Sequence, residues 1–187
     1  MCWQILLTRL PATYSSAEAD CSLSDWCLSL QILYITVVEA MSEDLIAPCG
    51  MNCGLCASYL AMKNELRKKG FGKTYCAGCL PRGKGCYYKK KCDLLAKGLV
   101  RFCYDCRDFP CQHLKTLDKR YRTFYHMSMI ENLEFIKKHG MEKFLERQMA
   151  KWRCPECGGV ICCHNGICYS CGLDKLRQKK RKYRWEE

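Results

Sequence analysis

The stretch "APCGMNCGLC" at residues 47–56 brings three cysteines into ten residues, in the spacing C-x3-C-x2-C. Cysteine makes up 19 of the 187 residues, a density typical of either a disulfide scaffold in an oxidising compartment or thiolate metal sites in a reducing one. The C-x2-C spacing directs two sulfurs at one tetrahedral ion. It recurs in five pairs: Cys53/Cys56, Cys76/Cys79, Cys103/Cys106, Cys154/Cys157 and Cys168/Cys171. This pattern predicts a fold stabilised by metal.

The first 40 residues differ from the rest of the chain. They contain four acidic residues and one basic residue, Arg9, whereas the whole chain carries a formal net charge of +12. Their cysteines follow no ligand spacing. We expect residues 1–40 to be a poorly structured leader or a mis-called N-terminal extension, with Met41 as the working start. The longest apolar run, residues 28–38, is shorter than the roughly 20 residues that cross a bilayer, and no export signal is recognisable, so we predict a cytoplasmic protein without membrane contact.

Helical patterns follow the first cysteine cluster. Residues 57–70 combine spaced apolar residues with a basic last turn and a terminal glycine, which predicts a helix. A short helix is expected within residues 90–100. Residues 112–150 contain no cysteine, carry apolar residues at helical spacing, and include a capping-box pattern at Ser128 and a stop at Gly140. We therefore predict a cysteine-rich metal-binding domain over 41–150, packed against its own helical segment 112–150.

The sequence "WRCPECGGVICCHNGICYSCG" at residues 152–172 contains two cysteine knuckles separated by an Asn165-Gly166 turn. It predicts a β-hairpin zinc ribbon over residues 151–173, with a closed, structural Zn²⁺ site. The four ligands expected are Cys154, Cys157, Cys168 and Cys171. Two interpretations remain open for Cys162, Cys163 and His164: strand and turn side chains, or an alternative ligand set or redox-sensitive thiol pair. The predicted fold class is thus small, metal-stabilised α+β, with an α-rich cysteine-cluster domain followed by the ribbon.

The cysteines before the helical segment are enough for two four-sulfur sites with two left over. They are Cys49, Cys53, Cys56, Cys76, Cys79, Cys86, Cys92, Cys103, Cys106 and Cys111. Zinc and iron–sulfur clusters accept the same thiolate ligands, so both Zn²⁺ and an iron–sulfur cluster remain candidates for residues 49–111. His113 either completes a site or is a surface or capping histidine. The spacing at Cys49, Cys53 and Cys56 is also that of radical S-adenosylmethionine enzymes, but the later residues lack the βα alternation of their barrel.

Three cysteine signatures occur in order: "APCGMNCGLCASY", then "CAGC" at residues 76–79, then "FCYDCRDFPC" at residues 102–111. With the helices that follow, they resemble the cysteine-rich family called domain of unknown function 3795, over residues 46 to about 150. The resemblance implies metal-binding cysteines at the positions of these signatures and leaves the activity unassigned. The chain resembles those members that carry an added C-terminal zinc ribbon.

Residues 174–187 form a basic tail that contains Tyr183 and Trp185. Such a tail either binds nucleic-acid phosphates, with its aromatic rings stacking on bases, or is a solvated and frayed terminus.

Three functions fit these patterns. The first is a zinc-binding adaptor or binding module that contacts nucleic acid or an acidic protein. The second is an iron–sulfur protein for electron transfer or redox support in anaerobic metabolism. The third is a hydrolase or transferase with an open metal site. Only Asp105, Asp108 and His113 lie near a cysteine cluster, and no Ser-His-Asp set, H-E-x-x-H motif or phosphate loop is present, so the sequence does not predict an enzyme.

Overall fold

The computed structural model describes residues 41–82, 91–180 and 183–185. The predicted leader at 1–40 and the predicted ligand Cys86 lie outside these residues. The described part contains six α-helices: α1 Ala57–Lys63, α2 Asp93–Ala96, α3 Gln112–Tyr125, α4 Met129–His139, α5 Met141–Trp152 and α6 Leu173–Gln178. Short 3₁₀ helices cover Glu43–Leu45, Cys53–Leu55 and Cys103–Asp105. None of the helices in the described part is long and apolar enough to cross a membrane.

The cysteine-free segment folds into α3, α4 and α5, as its periodicity predicts. The Ser128 hydroxyl accepts the backbone N–H of Glu131 at 3.0 Å and caps the start of α4. Gly140, with φ +85°, ends α4 and lets the chain turn directly into α5. Helix α4 contacts both of its neighbours, and each of the three helices buries apolar side chains in the core.

Helix α1 is shorter than its predicted span of 57–70. It ends at Lys63, and Glu65 adopts a left-handed conformation with φ +50°. The N–H of Leu66 then bonds the carbonyl oxygen of Ala61 at 2.9 Å, which closes the helix end and directs the Leu66 side chain into the core. The residues up to Gly70 form turns. Burial of Leu66 is thus achieved by breaking the helix early.

The predicted β-hairpin at 151–173 is wrong, because the described residues contain no β-strand. Pairing in this region is limited to the isolated bridges Arg153–Val160 and Ile161–Cys168. A ladder would require successive residues to pair, but the N–H of Cys163 bonds the carbonyl oxygen of Leu55 at 3.0 Å instead. The segment is therefore a series of turns fixed to the 3₁₀ helix at Cys53–Leu55. The fold is helical rather than α+β.

One hydrophobic core joins the two parts of the chain. It contains Ile46, Leu55 and Phe144 from the first part, and Tyr169 and Leu176 from the second, all of them fully buried. Residues 151–176 consequently pack on the cysteine-rich region and α5, and their turns are held in place by the same core.

Candidate metal centres

The first candidate metal centre lies between the end of α5 and the start of α6. The sulfurs of Cys154, Cys157, Cys168 and Cys171, which we call the C-terminal thiol group, all lie within 4.8 Å of one another. The Sγ atoms of Cys154 and Cys171 are 3.7 Å apart, and those of Cys157 and Cys168 are 3.6 Å apart. A tetrahedral zinc ion with bonds of about 2.3 Å would separate its sulfurs by about 3.8 Å. The C-terminal thiol group can therefore hold a metal ion, as the sequence predicts.

The backbone around the C-terminal thiol group donates a hydrogen bond to one sulfur and leaves space beside two of them. The N–H of Gly159 donates to Cys157 Sγ at 3.4 Å. A Cβ atom at Gly159 would lie 3.3 Å from the sulfurs of both Cys157 and Cys168, so a side chain there would crowd the site. The Lys175 ammonium and the Cys171 thiol both approach the Glu156 carboxylate, at 3.8 and 3.9 Å. These contacts orient the ligands from outside the site.

The thiols of this group influence one another electrostatically. Burial raises the pKa of Cys171, and its three sulfur neighbours raise it further. Burial acts in the same direction on Cys154, but backbone N–H groups of Cys157 and Glu156 hold its pKa below the ordinary value. Four thiolates at these distances repel one another, so a bound cation is the natural way for all four to be deprotonated together.

The second candidate centre is a cavity of about 270 Å³ between the N-terminal cysteine segments, α3 and His164. Five of the predicted ligands line it: Cys49, Cys53, Cys56, Cys76 and Cys79. The pairs Cys53/Cys56 and Cys76/Cys79 come from segments about 20 residues apart, and the fold brings them together. No three of these sulfurs lie within 4.8 Å of one another, because the C-terminal thiol group is the one such set among the described His, Cys, Asp and Glu residues. We refer to this cavity as the five-cysteine cavity.

His164 closes one side of the five-cysteine cavity. Its Nδ1 accepts the backbone N–H of Ala57 at 3.3 Å, so the proton is assigned to Nε2, which lies 3.4 Å from the hydroxyl oxygen of Tyr121. Burial, together with the positive charges of Arg120 and Lys73, lowers the pKa of His164 to about 4. The imidazole is thus neutral near pH 7, and it hydrogen-bonds both α1 and α3.

Sequence reasoning missed the cavity walls. Leu117 and Tyr121 lie one turn apart on α3 and line the cavity, although their spacing indicated only a packed helix face. His164 lies more than 100 residues after its hydrogen-bond partner Ala57, and no feature of the sequence around His164 predicts this contact. Cys162 and Cys163 are fully buried beside it, and burial raises the pKa of Cys162 to about 12.

The remaining predicted ligands that the structure describes do not line this cavity. Cys103 begins the 3₁₀ helix at Cys103–Asp105 and Cys106 follows it, while Cys92 and Cys111 precede α2 and α3. Within the described ranges, no three of them come within 4.8 Å of one another, with or without His113, Asp105 or Asp108. A second sulfur site built from them stays a prediction.

A basic cleft of about 410 Å³ lies near the start of the tail, lined by Gly70, Phe71, Gly72, Lys73, Arg177 and Tyr183. The Arg177 guanidinium carbon lies 5.2 Å from the centre of the Phe71 ring, and the Lys73 ammonium lies 4.6 Å from that of Tyr183. Arg177 also donates to the carbonyl oxygen of Lys69 at 3.5 Å. Each of these two cationic groups therefore lies over an aromatic ring of the cleft.

The described end of the tail packs against the protein. Trp185 donates its indole N–H to the carbonyl oxygen of Cys163 at 2.7 Å, and its ring meets His126 edge-on at 4.8 Å. Gly166 leaves room for that ring, since a Cβ atom there would lie 2.8 Å from it. Tyr183 remains 46% exposed, so of these two tail aromatics Tyr183 is the more available for stacking.

The segment that supplies the five cysteines of the cavity resembles a known family. Residues 45–116 match the family model described as protein of unknown function (DUF3795). The resemblance drawn from the three cysteine signatures is thereby confirmed for this segment, whereas the C-terminal thiol group lies outside the DUF3795 region. No curated protein and no solved structure matches the chain.

Proposed function

We propose that the protein is a zinc-stabilised binding module that holds single-stranded nucleic acid in the basic cleft. The observation that carries the proposal is that two cation–aromatic pairs, Lys73 with Tyr183 and Arg177 with Phe71, line one open cleft. Single strands present regularly spaced phosphates and flat bases, and cation–aromatic grooves bind both.

Zinc is the metal proposed for the C-terminal thiol group. Four thiolates at tetrahedral spacing with no open position are typical of structural zinc. Such an ion contributes on the order of 10 kcal/mol to folding, so the site would hold the turns at 154–171 without strands.

The metal site and the cleft are linked through the chain. Helix α6 begins two residues after Cys171 and carries Arg177 on its last turn. A zinc ion at the C-terminal thiol group would therefore fix the helix that presents this guanidinium to the cleft. Arg67, Lys68 and Lys69 are exposed and directly precede the cleft residues Gly70 to Lys73, so they add positive charge beside the cleft.

Fluorescence anisotropy with a labelled single-stranded 20-nucleotide RNA, measured on the full chain over a series of salt concentrations, tests the proposal. We expect log Kd to rise linearly with log salt concentration. Arg177→Ala should weaken binding about tenfold and reduce the slope by about one unit, because one phosphate contact is lost. Tyr183→Leu should weaken binding by about 1–3 kcal/mol with an unchanged slope, because it removes stacking and no charge.

Lys137→Ala is the matched control. It removes the same charge from the exposed end of α4 and lies outside the lining of the cleft. Zinc content and far-UV circular dichroism verify that each variant is folded. Equal losses for Arg177→Ala and Lys137→Ala would refute the cleft as the site, and binding of polyglutamate in place of RNA would indicate an acidic protein partner instead.

A further inference from the structure

We propose that the five-cysteine cavity binds a four-iron, four-sulfide cluster through its two C-x2-C pairs, Cys53/Cys56 and Cys76/Cys79. This site is separate from the C-terminal thiol group and goes beyond the binding function proposed above. The two proposals therefore fail independently.

The spacing of the sulfurs distinguishes the two metal centres. In the C-terminal thiol group, the sulfurs of Cys154 and Cys171 and those of Cys157 and Cys168 lie 3.7 and 3.6 Å apart, which fits a single ion. Among the five described sulfurs that line the other cavity, no three lie within 4.8 Å of one another. One zinc ion with bonds of about 2.3 Å would not reach three or four of them without movement of the chain. A four-iron cluster holds its thiolates farther apart because iron and sulfide ions lie between them.

The cavity also has the size and lining that a cluster needs. Its volume of about 270 Å³ is far larger than one metal ion. Apart from the cysteines, its walls are mainly apolar or aromatic, with Met51, Tyr59, Leu117 and Tyr121 among them. Such walls limit access of water to a cluster and help to set its reduction potential.

The backbone conformation of Gly78 brings the two C-x2-C pairs close together. Gly78, with φ +104°, lies between Cys76 and Cys79, and its missing side chain lets this loop approach the first segment. A Cβ atom at Gly78 would lie 2.9 Å from Leu45 and 3.6 Å from the Cβ of Cys53. The turn therefore places the second pair directly against the first.

Hydrogen-bond donors already point at one sulfur of each pair. The backbone N–H of Cys79 donates to Cys53 Sγ at 3.4 Å, and the Arg82 guanidinium donates to Cys76 Sγ at 3.7 Å. Donors of this kind stabilise thiolate ligands and raise the potential of the cluster they bind. When a preformed [4Fe-4S]²⁺ cluster is transferred from the thiolates of a donor protein, four Fe–S bonds to the donor break as four bonds to these cysteines form. The four protons released by these thiols are taken up by the donor's thiolates, and no oxidation state changes.

The decisive experiment uses the full chain, purified without oxygen from cells supplied with iron and zinc. Iron, acid-labile sulfide and zinc are measured together with the visible spectrum and the electron paramagnetic resonance spectrum after dithionite reduction. We expect about four iron and four sulfide ions per chain. Zinc without iron or sulfide in the wild-type protein would overturn the proposal, whatever the variants do.

Single substitutions test the ligand assignment. Cys53→Ser and Cys76→Ser should each lose at least half of the iron and sulfide, whereas Cys49→Ser and the exposed control Cys111→Ser should retain them. Cys154→Ser should lose zinc and keep iron, which separates this site from the C-terminal thiol group. Zinc retained by Cys53→Ser and Cys76→Ser serves as the check on their folding. Loss of iron in Cys49→Ser with retention in the other two would overturn the assignment.

Discussion

Asp118 joins two helices, and its removal should destabilise the fold strongly. The side chain lies on α3 and is 7% exposed. It accepts the Ser128 hydroxyl at 2.7 Å and the Ile130 N–H at 3.0 Å, both at the start of α4. Arg122 adds an ion pair at 2.7 Å from a half-exposed position. Asp118→Ala thus leaves two donors at the α3–α4 junction without their acceptor.

The expected loss is about 3 kcal/mol, because each hydrogen bond to a charged acceptor contributes about 1.5 kcal/mol or more. The contribution from Arg122 is at most a few tenths of a kcal/mol, since solvent screens an exposed pair. Glu131→Ala is the matched control. It removes another carboxylate that pairs with Arg122 at 2.9 Å, but Glu131 is 56% exposed, so we expect a loss below about 0.5 kcal/mol.

Equilibrium unfolding in urea at fixed zinc concentration, followed by circular dichroism, measures the difference. The pH dependence gives a second signature. Burial alone would raise the pKa of Asp118, but bonds from Ser128, Ile130 and Arg122 lower it below the ordinary value of 3.8. The stabilisation is therefore present above about pH 4 and is lost as the pH falls through the folded-state pKa. If Asp118→Ala stays within about 1 kcal/mol of Glu131→Ala at pH 7, the inferred role of Asp118 in joining the helices is wrong.

Three further results are expected. Gly50→Ala should lower the free energy of unfolding by at least about 2 kcal/mol, because Gly50 has φ +84° and the new Cβ would lie 2.7 Å from a backbone oxygen of α4. Gly72→Ala, whose Cβ would have nothing within 4 Å, should change it by less than about 1 kcal/mol. Similar unfolding midpoints for the two variants would contradict this prediction. Cys171→Ser should lose one metal ion per chain by mass spectrometry, while the neighbouring Ser170→Ala keeps it. Trp185→Ala should speed tryptic cleavage of the tail, since its indole anchors the tail to a backbone carbonyl; an unchanged rate would show that the anchor is unimportant.

The sequence was most informative where local chemistry decides the structure. Apolar periodicity and the cap at Ser128 predicted α3, α4 and α5, since each helix buries a face defined by its own residues. The four sulfurs of the C-terminal thiol group were predicted for the same reason, because two short knuckles supply them. The resemblance to the DUF3795 family also rested on local signatures and is confirmed for residues 45–116.

Long-range hydrogen bonds explain what the sequence did not predict. The Asn165-Gly166 turn suggested a hairpin, but the N–H of Cys163 finds its acceptor on Leu55, and this competing partner interrupts the ladder. His164 reaches Ala57 in the same way. No periodicity or motif in the sequence predicts either hydrogen bond, because each one depends on how two distant segments pack.

The contact between His164 and Ala57 also has a consequence for the timing of assembly. Synthesis supplies the cysteines at 49–79 first, but the imidazole that closes their cavity emerges only after about 85 further residues have been added. During that interval the imidazole does not yet cover these thiols, so they can react with metal ions or oxidants in their surroundings. A metal taken up by the five-cysteine cavity would therefore be enclosed by His164 only after residue 164 has been synthesised, and the supply of metal at that moment would help to determine what the cavity contains.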